Sequence, residues 1–343
     1  MNGPAAFEIR NLAHWYTEKK VLDIKRLDIP KGSIIGLQGP NGSGKSTLLK
    51  ILAFAMKPTK GQILFNGRPE TPFSPGVRSK VTLLTQKPYL LKRTVFDNIA
   101  YGLKIRRDKR NLDERICRAL ASVGLDNDSF ARRKWHELSG GEAQRVAMAA
   151  RLILEPEVLL LDEPVASVDT KSAGLIRKAS LDARKNWGTT LVIASHDLRW
   201  LYECSDTQIS ISNGKIFSLG REIVIPGPYE KSKDPNKETR PLGDGKILLP
   251  LSPDRDKTAV IGMEKIDLIP RGSQAETTEP DNRIPGLIVS MVLEKQTGHI
   301  MTLVRAHDLS IAVRLDPTSS LDPGLAPGKK VDLVFSSSDI TWR

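Results

Sequence analysis

Cysteine is scarce in this chain of 343 residues: Cys117 and Cys204 stand alone, far apart and without metal-ligand spacing. A disulfide framework or cysteine-held metal is not expected, and two reduced thiols in a reducing compartment are. Long apolar runs are also missing. None approaches the roughly 20 residues of a membrane-spanning helix, and runs such as Val158-Leu159-Leu160-Leu161 suit buried strands. The N-terminal MNGPAAFEIR lacks the basic-then-apolar order of a secretory leader. A cytoplasmic chain is expected, meeting the inner face of a membrane only through a partner. No internal repeat is visible. What is present is an ordinary globular composition, 39% hydrophobic and 27% charged, with length enough for two domains. The net charge of +12 suits nucleic acid, an anionic membrane surface or phosphate-bearing ligands alike, and does not choose among them.

Residues 1–225 alternate strand-like and helix-like segments. Ile34-Ile35-Gly36-Leu37 reads as a strand, followed by a glycine-rich turn and a helix over 46–56. Val158–Leu161 and Thr190–Ala194 are apolar runs of parallel-sheet type, so a mostly parallel α/β domain is expected. Charged, helix-compatible sequence interrupts this pattern and marks an inserted helical subdomain, placed at about 90–155. Residues 226–255 (IPGPYEKSKDPNKETRPLGDG and its flank) shift to Pro, Gly, Lys and Asp and read as a linker. From 256 to 343, short runs recur between turn residues: Ala259–Gly262, Gly286–Val292, Ile300–Val304, Leu309–Leu315 and Lys330–Phe335. They predict a small all-β domain, barrel-like.

Three motifs carry chemistry. GPNGSGKST over 39–47 follows a predicted strand and precedes a predicted helix. Gly39, Gly42 and Gly44 permit a tight turn in which backbone N–H groups point at phosphate oxygens, Pro40, Asn41 and Ser43 complete the loop, and the helix that includes Thr47 adds its positive end. Lys45 would reach the β- and γ-phosphates and Ser46 would ligate Mg²⁺. Second, VLLLDEP over 158–164 puts Asp162 and Glu163 at the carboxyl end of a buried strand, where open α/β sheets bind ligands. Asp162 is the Mg²⁺ partner and Glu163 the candidate general base for an attacking water. Third, Leu138-Ser139-Gly140-Gly141-Glu142 opens a helix whose apolar Ala143, Val146, Ala147, Ala150, Ile153 and Leu154 predict one buried face. It is a second anion cradle, and a second cradle makes sense if it serves a nucleotide held by a neighbouring copy.

In this order the elements resemble the ATP-binding-cassette (ABC) family across residues 1–225: GPNGSGKST, Gln86 in TLLTQKP, LSGGE, LLLDEP, Ala166-Ser167-Val168-Asp169, and His196 in ASHD. The resemblance implies a P-loop NTPase domain with a helical subdomain and a head-to-tail homodimer with two ATP molecules, each lying between one subunit's phosphate loop and the other's Ser139–Glu142. It implies that Gln86 contacts Mg²⁺ and senses a membrane partner, that His196 contacts the γ-phosphate, and that Asp169 crosses the interface. Tyr16 falls where the family places an adenine-stacking aromatic; Trp15 beside it is the alternative.

The C-terminal segment resembles the small OB/TOBE-like barrels attached to importer ATPases, with AVIGMEKIDL at its start and DNRIPGLIVSMV and LAPGKKVDLVF similar to the oxyanion-binding modules of molybdate and tungstate systems. KPTKGQILFNG and KRTVFDNIAYGL look most like tungstate importer ATPases, although the Gln86 loop departs from molybdate ATPases. The expectation is an ABC-type transporter ATPase energising uptake of tungstate or molybdate. It would work with two integral membrane permease subunits and, indirectly, an extracytoplasmic solute-binding protein, with an oxyanion at the C-terminal domain. Sulfate, polyamine, sugar or iron are the alternative solutes. An ABC ATPase acting on nucleic acid or ribosomes is disfavoured: there is one cassette, no heptad insertion and no aromatic-rich basic strip.

Overall fold

The computed structural model describes residues 4–166, 168–217, 222–243, 245–253, 257–272, 281–293, 298–317 and 322–342. Ser167 of the Ala166–Asp169 motif lies outside the described residues. The chain forms two compact units. One comprises Met1–His196, Cys204–Thr207 and Asn213–Ile216, the other Asp197–Glu203, Gln208–Ser212 and Phe217–Arg343.

The first unit opens with the long strands β1 (Ala5–Tyr16) and β2 (Lys19–Pro30), paired antiparallel. Next come β3 (Ile34–Gln38), α1 (Lys45–Leu52), β4 (Lys60–Phe65), the short β5 (Arg68–Pro69), α2 (Pro75–Arg78) and β6 (Val81–Leu84). A helical stretch contains α3 (Val95–Ile105), α4 (Leu112–Ser122), α5 (Asn127–Phe130) and α6 (Gly140–Leu152). Then follow β7 (Val158–Asp162), α7 (Thr170–Trp187) and β8 (Thr190–Ala194). Strands β2-β1-β4-β5 make one sheet, while β3, β8, β7 and β6 lie side by side in that order in a second, parallel one. Every residue of β7 and β8 is buried, which is why their sequences run apolar without alternation. The register sets Leu37 opposite Ala194, and Ala194 opposite Asp162. The segments leaving β3, β7 and β8 therefore start from one edge of the sheet.

Two local expectations are corrected. The helix expected over 46–56 ends at Leu52, because Ala53 caps it and Phe54 turns to φ 53. The apolar face expected on the signature helix is also wrong in part. Ala143, Ala150 and Leu154 are only half-buried, whereas Gln144, Met148 and Ala149 are buried. Packing of α6 against α3, α4, α7 and β6 surrounds the helix, so its burial does not follow one stripe.

The chain continues through α8 (Leu198–Cys204), β9 (Thr207–Ser212) and β10 (Lys215–Phe217) into antiparallel strands. They are β11 (Glu222–Ile225), β12 (Glu230–Lys231), β13 (Lys237–Leu242), β14 (Gly245–Pro250), β15 (Ala259–Gly262), β16 (Asp267–Pro270), β17 (Asn282–Leu293), β18 (Ile300–Ala306), β19 (Leu309–Leu315), β20 (Lys330–Phe335) and β21 (Ile340–Trp342). Three sheets form, β11-β15-β21, β12-β13-β14 and β16-β20-β17-β18-β19. They enclose one apolar core that includes Ile247, Leu249, Val304, Val313 and Leu333, an all-β region consistent with the OB/TOBE-like expectation. The 226–255 linker is a correction: β12, β13 and β14 fall within it. Leu242, Ile247 and Leu249 enter the core, while the Asn282 side chain accepts from Leu248 N–H (2.7 Å) and donates to Leu248 O (3.0 Å).

Candidate nucleotide site

The phosphate loop takes the shape its glycines allow. Gly39, Gly42 and Gly44 have φ of 150, 77 and 108, values that side chains with a Cβ rarely adopt. The first hydrogen bond of α1 runs from Leu48 N–H to Gly44 O at 2.9 Å. The amides of Gly44, Lys45, Ser46 and Thr47 are left as the free donors of a helix N-terminus. Lys45 is buried and its ammonium donates to Gly39 O (2.6 Å) and Pro40 O (3.1 Å). Burial pushes its pKa below the ordinary lysine value, while the charges of Glu163 and Asp162 pull the other way. Ser46 and Asn41 are exposed, and the buried Ser43 hydroxyl has no hydrogen-bond partner among the described residues.

Asp162 and Glu163 are both 7% exposed. Asp162 makes no hydrogen bond or ion pair among the described residues, and the charge that acts on it here is the Lys45 ammonium, which leaves its oxygens open to a metal ion. Glu163 is held in the left-handed region, φ 47. Its N–H donates to Ala194 O at 2.9 Å and its Oε2 accepts from the His196 N–H at 3.2 Å. The other oxygen, Oε1, has no hydrogen-bond partner among the described residues and faces His196 Nε2 at 3.3 Å. That ring nitrogen also lies 2.8 Å from Asn41 Oδ1. The structure thus brings Asn41, Lys45, Asp162, Glu163 and His196 to one sheet edge.

Other predicted residues stand apart. Gln86 is exposed and without a side-chain partner among the described residues. Ser139 caps α6: its hydroxyl accepts from Glu142 N–H (3.3 Å), and the Glu142 carboxylate accepts from Ser139 N–H (2.8 Å). That contact holds the Glu142 pKa below the usual range. Leu138 is half-buried, and Ser139 and Gly140 are exposed. A Cβ on Gly141 would fall 2.9 Å from Asp169 Oδ2, and Asp169 itself caps α7 by accepting from Ser172 N–H at 2.9 Å. Among the described residues no hydrogen bond or ion pair links Leu138–Glu142 to the 39–47 loop. Tyr16 is 44% exposed, with its hydroxyl on Met56 Sδ and its ring edge-on to His14. Trp15 carries the ammonium groups of Lys20 and Lys60 at 5.3 and 5.7 Å from its ring centre, which leaves Tyr16 the freer ring.

These positions fit ATP with Mg²⁺: free amides and a lysine for phosphates, an exposed hydroxyl and an unpaired buried carboxylate for the ion. Among the described residues no three His, Cys, Asp or Glu side chains form a metal cage.

Comparison with known proteins agrees. The family profile described as ABC transporter matches residues 22–166. The tungstate uptake system ATP-binding protein TupC of Peptoclostridium acidaminophilum is 35% identical over 209 residues, 61% of this chain and 95% of that protein. The chain belongs to the ABC transporter family. The spermidine/putrescine import ATP-binding protein PotA of Marinobacter nauticus is 39% identical, over 63% of this chain and 58% of that protein. The chain spans about 60% of the length of such polyamine relatives. Among solved structures, the dimeric post-hydrolysis state of the ATP-binding cassette MJ0796 bound to ADP and Pi matches with a TM-score of 0.57 at 25% identity, over 62% of this chain and 97% of that one.

Within this ABC cassette, two contributors escape a sequence reading. Gln144 is buried, and its side-chain amide donates to Thr85 O (3.5 Å) and Pro164 O (3.3 Å). It ties the segment before Gln86 to the one after Glu163; a polar residue amid buried helix positions was its only signal. Gly214, at φ 75, donates its N–H to Ser43 O at 3.0 Å and accepts from Asp23 N–H at 2.8 Å, bracing the phosphate loop. Asn213-Gly214 reads in sequence only as a turn.

Proposed function

We propose that this chain is the ATP-hydrolysing subunit of an ABC importer, acting as a homodimer on the inner face of a membrane with two permease subunits and an extracytoplasmic solute-binding protein. The observation that carries this is the gathering of Lys45, Asp162, Glu163 and His196 at one edge while Ser139–Glu142 remains outside it. The free donors of α6 then serve a nucleotide on a second copy. Among the described residues no helix is long and apolar enough to cross a membrane, which fits a separate permease.

Each residue has a task in this reading. The amides of 44–47 and Lys45 hold the phosphates. Lys45 must leave Gly39 O and Pro40 O to do so, exchanging carbonyl contacts for charge-assisted ones. Tyr16 stacks on adenine. Mg²⁺, held by Ser46, Asp162 and Gln86, would neutralise charge on the phosphates. Glu163, positioned through one oxygen by the His196 amide, uses the free Oε1 to take a proton from the attacking water. The His196 ring turns from Asn41 to the γ-phosphate. Ser139 accepts from Glu142 and keeps its own O–H to donate to the partner's γ-phosphate. Loss of those contacts on hydrolysis reopens the dimer.

The cargo is an oxyanion, tungstate first and molybdate next, supported by likeness to TupC and by motif resemblance. Polyamine is the second reading, favoured by the likeness to PotA. ATP turnover of the chain assembled with its permease and binding protein in liposomes separates them. Stimulation by tungstate but not sulfate or spermidine supports the first. Stimulation by spermidine alone replaces it.

A further inference from the structure

The C-terminal unit contains a cavity of about 620 Å³, well within the range of organic-ligand sites (about 300–1,000 Å³) and much larger than one tetrahedral oxyanion. The five-stranded sheet supplies most of its wall, and the β13–β14 hairpin supplies Lys246. Five cationic side chains line it, Lys246, Arg271, Arg283, Arg305 and Lys330, with His307 beside them. Strand register explains the concentration. Arg305 on β18 and Lys330 on β20 each stand directly opposite Leu287 on β17. With strands roughly 4.8 Å apart, their backbones lie within about 10 Å and their side chains share one face. Arg271 arrives at the end of β16, where its N–H donates to Lys330 O at 3.2 Å.

Among the described residues, the acidic groups near this cavity are engaged elsewhere. Asp332 is engaged with Arg283 at 2.8 Å and Asp308 with Arg240. Lys246, Arg271, Arg305 and Lys330 have no ion-pair partner among the described residues. Nor is the rim a loose surface. His307 sits at φ 54, close enough to the hairpin turn that a Cβ on Gly243 would fall 2.3 Å from His307 Nδ1. Four cations on one concavity, without an ion-pair partner among the described residues, raise the local potential for anions and exceed the charge of any single tetrahedral dianion.

We propose that this cavity binds an anion bearing several clustered phosphoryl groups, held by charge-assisted hydrogen bonds from Lys246, Arg271, Arg305 and Lys330. It lies wholly in the C-terminal unit and does not depend on the ATPase reading; ATP turnover of the unaltered chain tests that separately.

The test uses the full chain carrying Lys45→Ala, so that the phosphate loop contributes little. Calorimetric titration with sodium tripolyphosphate at low salt should show binding that weakens steeply as salt rises. Adding Arg305→Ser and Lys330→Ser should weaken it at least tenfold with the thermal midpoint unchanged. Should that pair disturb folding, Lys246→Ser, on an exposed hairpin, should give a smaller loss in the same direction. Inorganic phosphate and tungstate should bind at least tenfold more weakly than tripolyphosphate. Cosedimentation with phosphatidylglycerol but not phosphatidylcholine vesicles, lost in the same variants, would place the phosphoryl groups on a lipid surface. The proposal is overturned if Arg305 and Lys330 affect neither tripolyphosphate nor vesicle binding, or if tungstate binds as tightly as tripolyphosphate.

Discussion

Glu163 sits at φ 47, where a residue other than glycine is strained by roughly 1–3 kcal/mol, and it is kept there by Ala194 O and the His196 amide. Such strain is tolerable because neighbouring strands β7 and β8 define both anchors. Gly214 bears a different constraint: a Cβ there would lie 2.3 Å from Val21 O. Gly214→Ala is expected to destabilise the first unit by about 1–3 kcal/mol. It should also weaken ATP binding, because Gly214 N–H braces Ser43 O. Thermal unfolding and nucleotide titration check this; an unchanged midpoint would show that the turn relaxes freely. The phosphate loop, Asp162, Glu163 and His196 were legible because each lies in a short run whose residue types already imply phosphate or water chemistry. Gln144 and Gly214 were not, because their partners, Thr85, Pro164 and Ser43, lie 20 to 171 positions away.

Among elements, the parallel strands were the easiest to read, since burial on both faces makes them apolar throughout. The β12–β14 sheet was missed because Pro, Gly and charged residues mask its inward residues. Arg240 shows why: it is 4% exposed, yet its guanidinium donates to Pro226 O, Pro241 O and Asp308. A charge in such a strand reads as surface until its partners are known. Asp281 joins this sheet to the end of the chain, accepting from Ser337 N–H and Oγ and from Lys237. These contacts, the Ser337 hydroxyl foremost, lower its pKa to about 2, against about 3.9 unfolded. The folded form therefore favours the carboxylate. Its stabilisation is complete above the unfolded value and is lost as pH falls through about 2. Asp281→Asn should lower the denaturant midpoint of the C-terminal unit at pH 7, and the gap from wild type should narrow below pH ~4. A gap constant over that interval would dissociate Asp281 from the effect.

For the whole molecule, the two units divide the work: the cassette gathers phosphate, acid and histidine chemistry, and the β unit gathers cations. The second half of the nucleotide site is the cradle at Ser139–Glu142 that the sequence already marks for a neighbouring copy. Ser139–Glu142 opens α6 with Ser139 and Glu142 bonded to each other, and among the described residues no hydrogen bond or ion pair links it to the 39–47 loop, as expected of a site completed by a second copy. The most direct measurement compares Glu163→Gln with wild type for ATP turnover and for mass in solution with and without ATP. Turnover should fall by about 10²–10⁴-fold, the worth of a general base, and the variant should become a dimer only when ATP is present. A variant that hydrolyses ATP at the wild-type rate, or stays monomeric with ATP bound, would contradict both the base and the shared site.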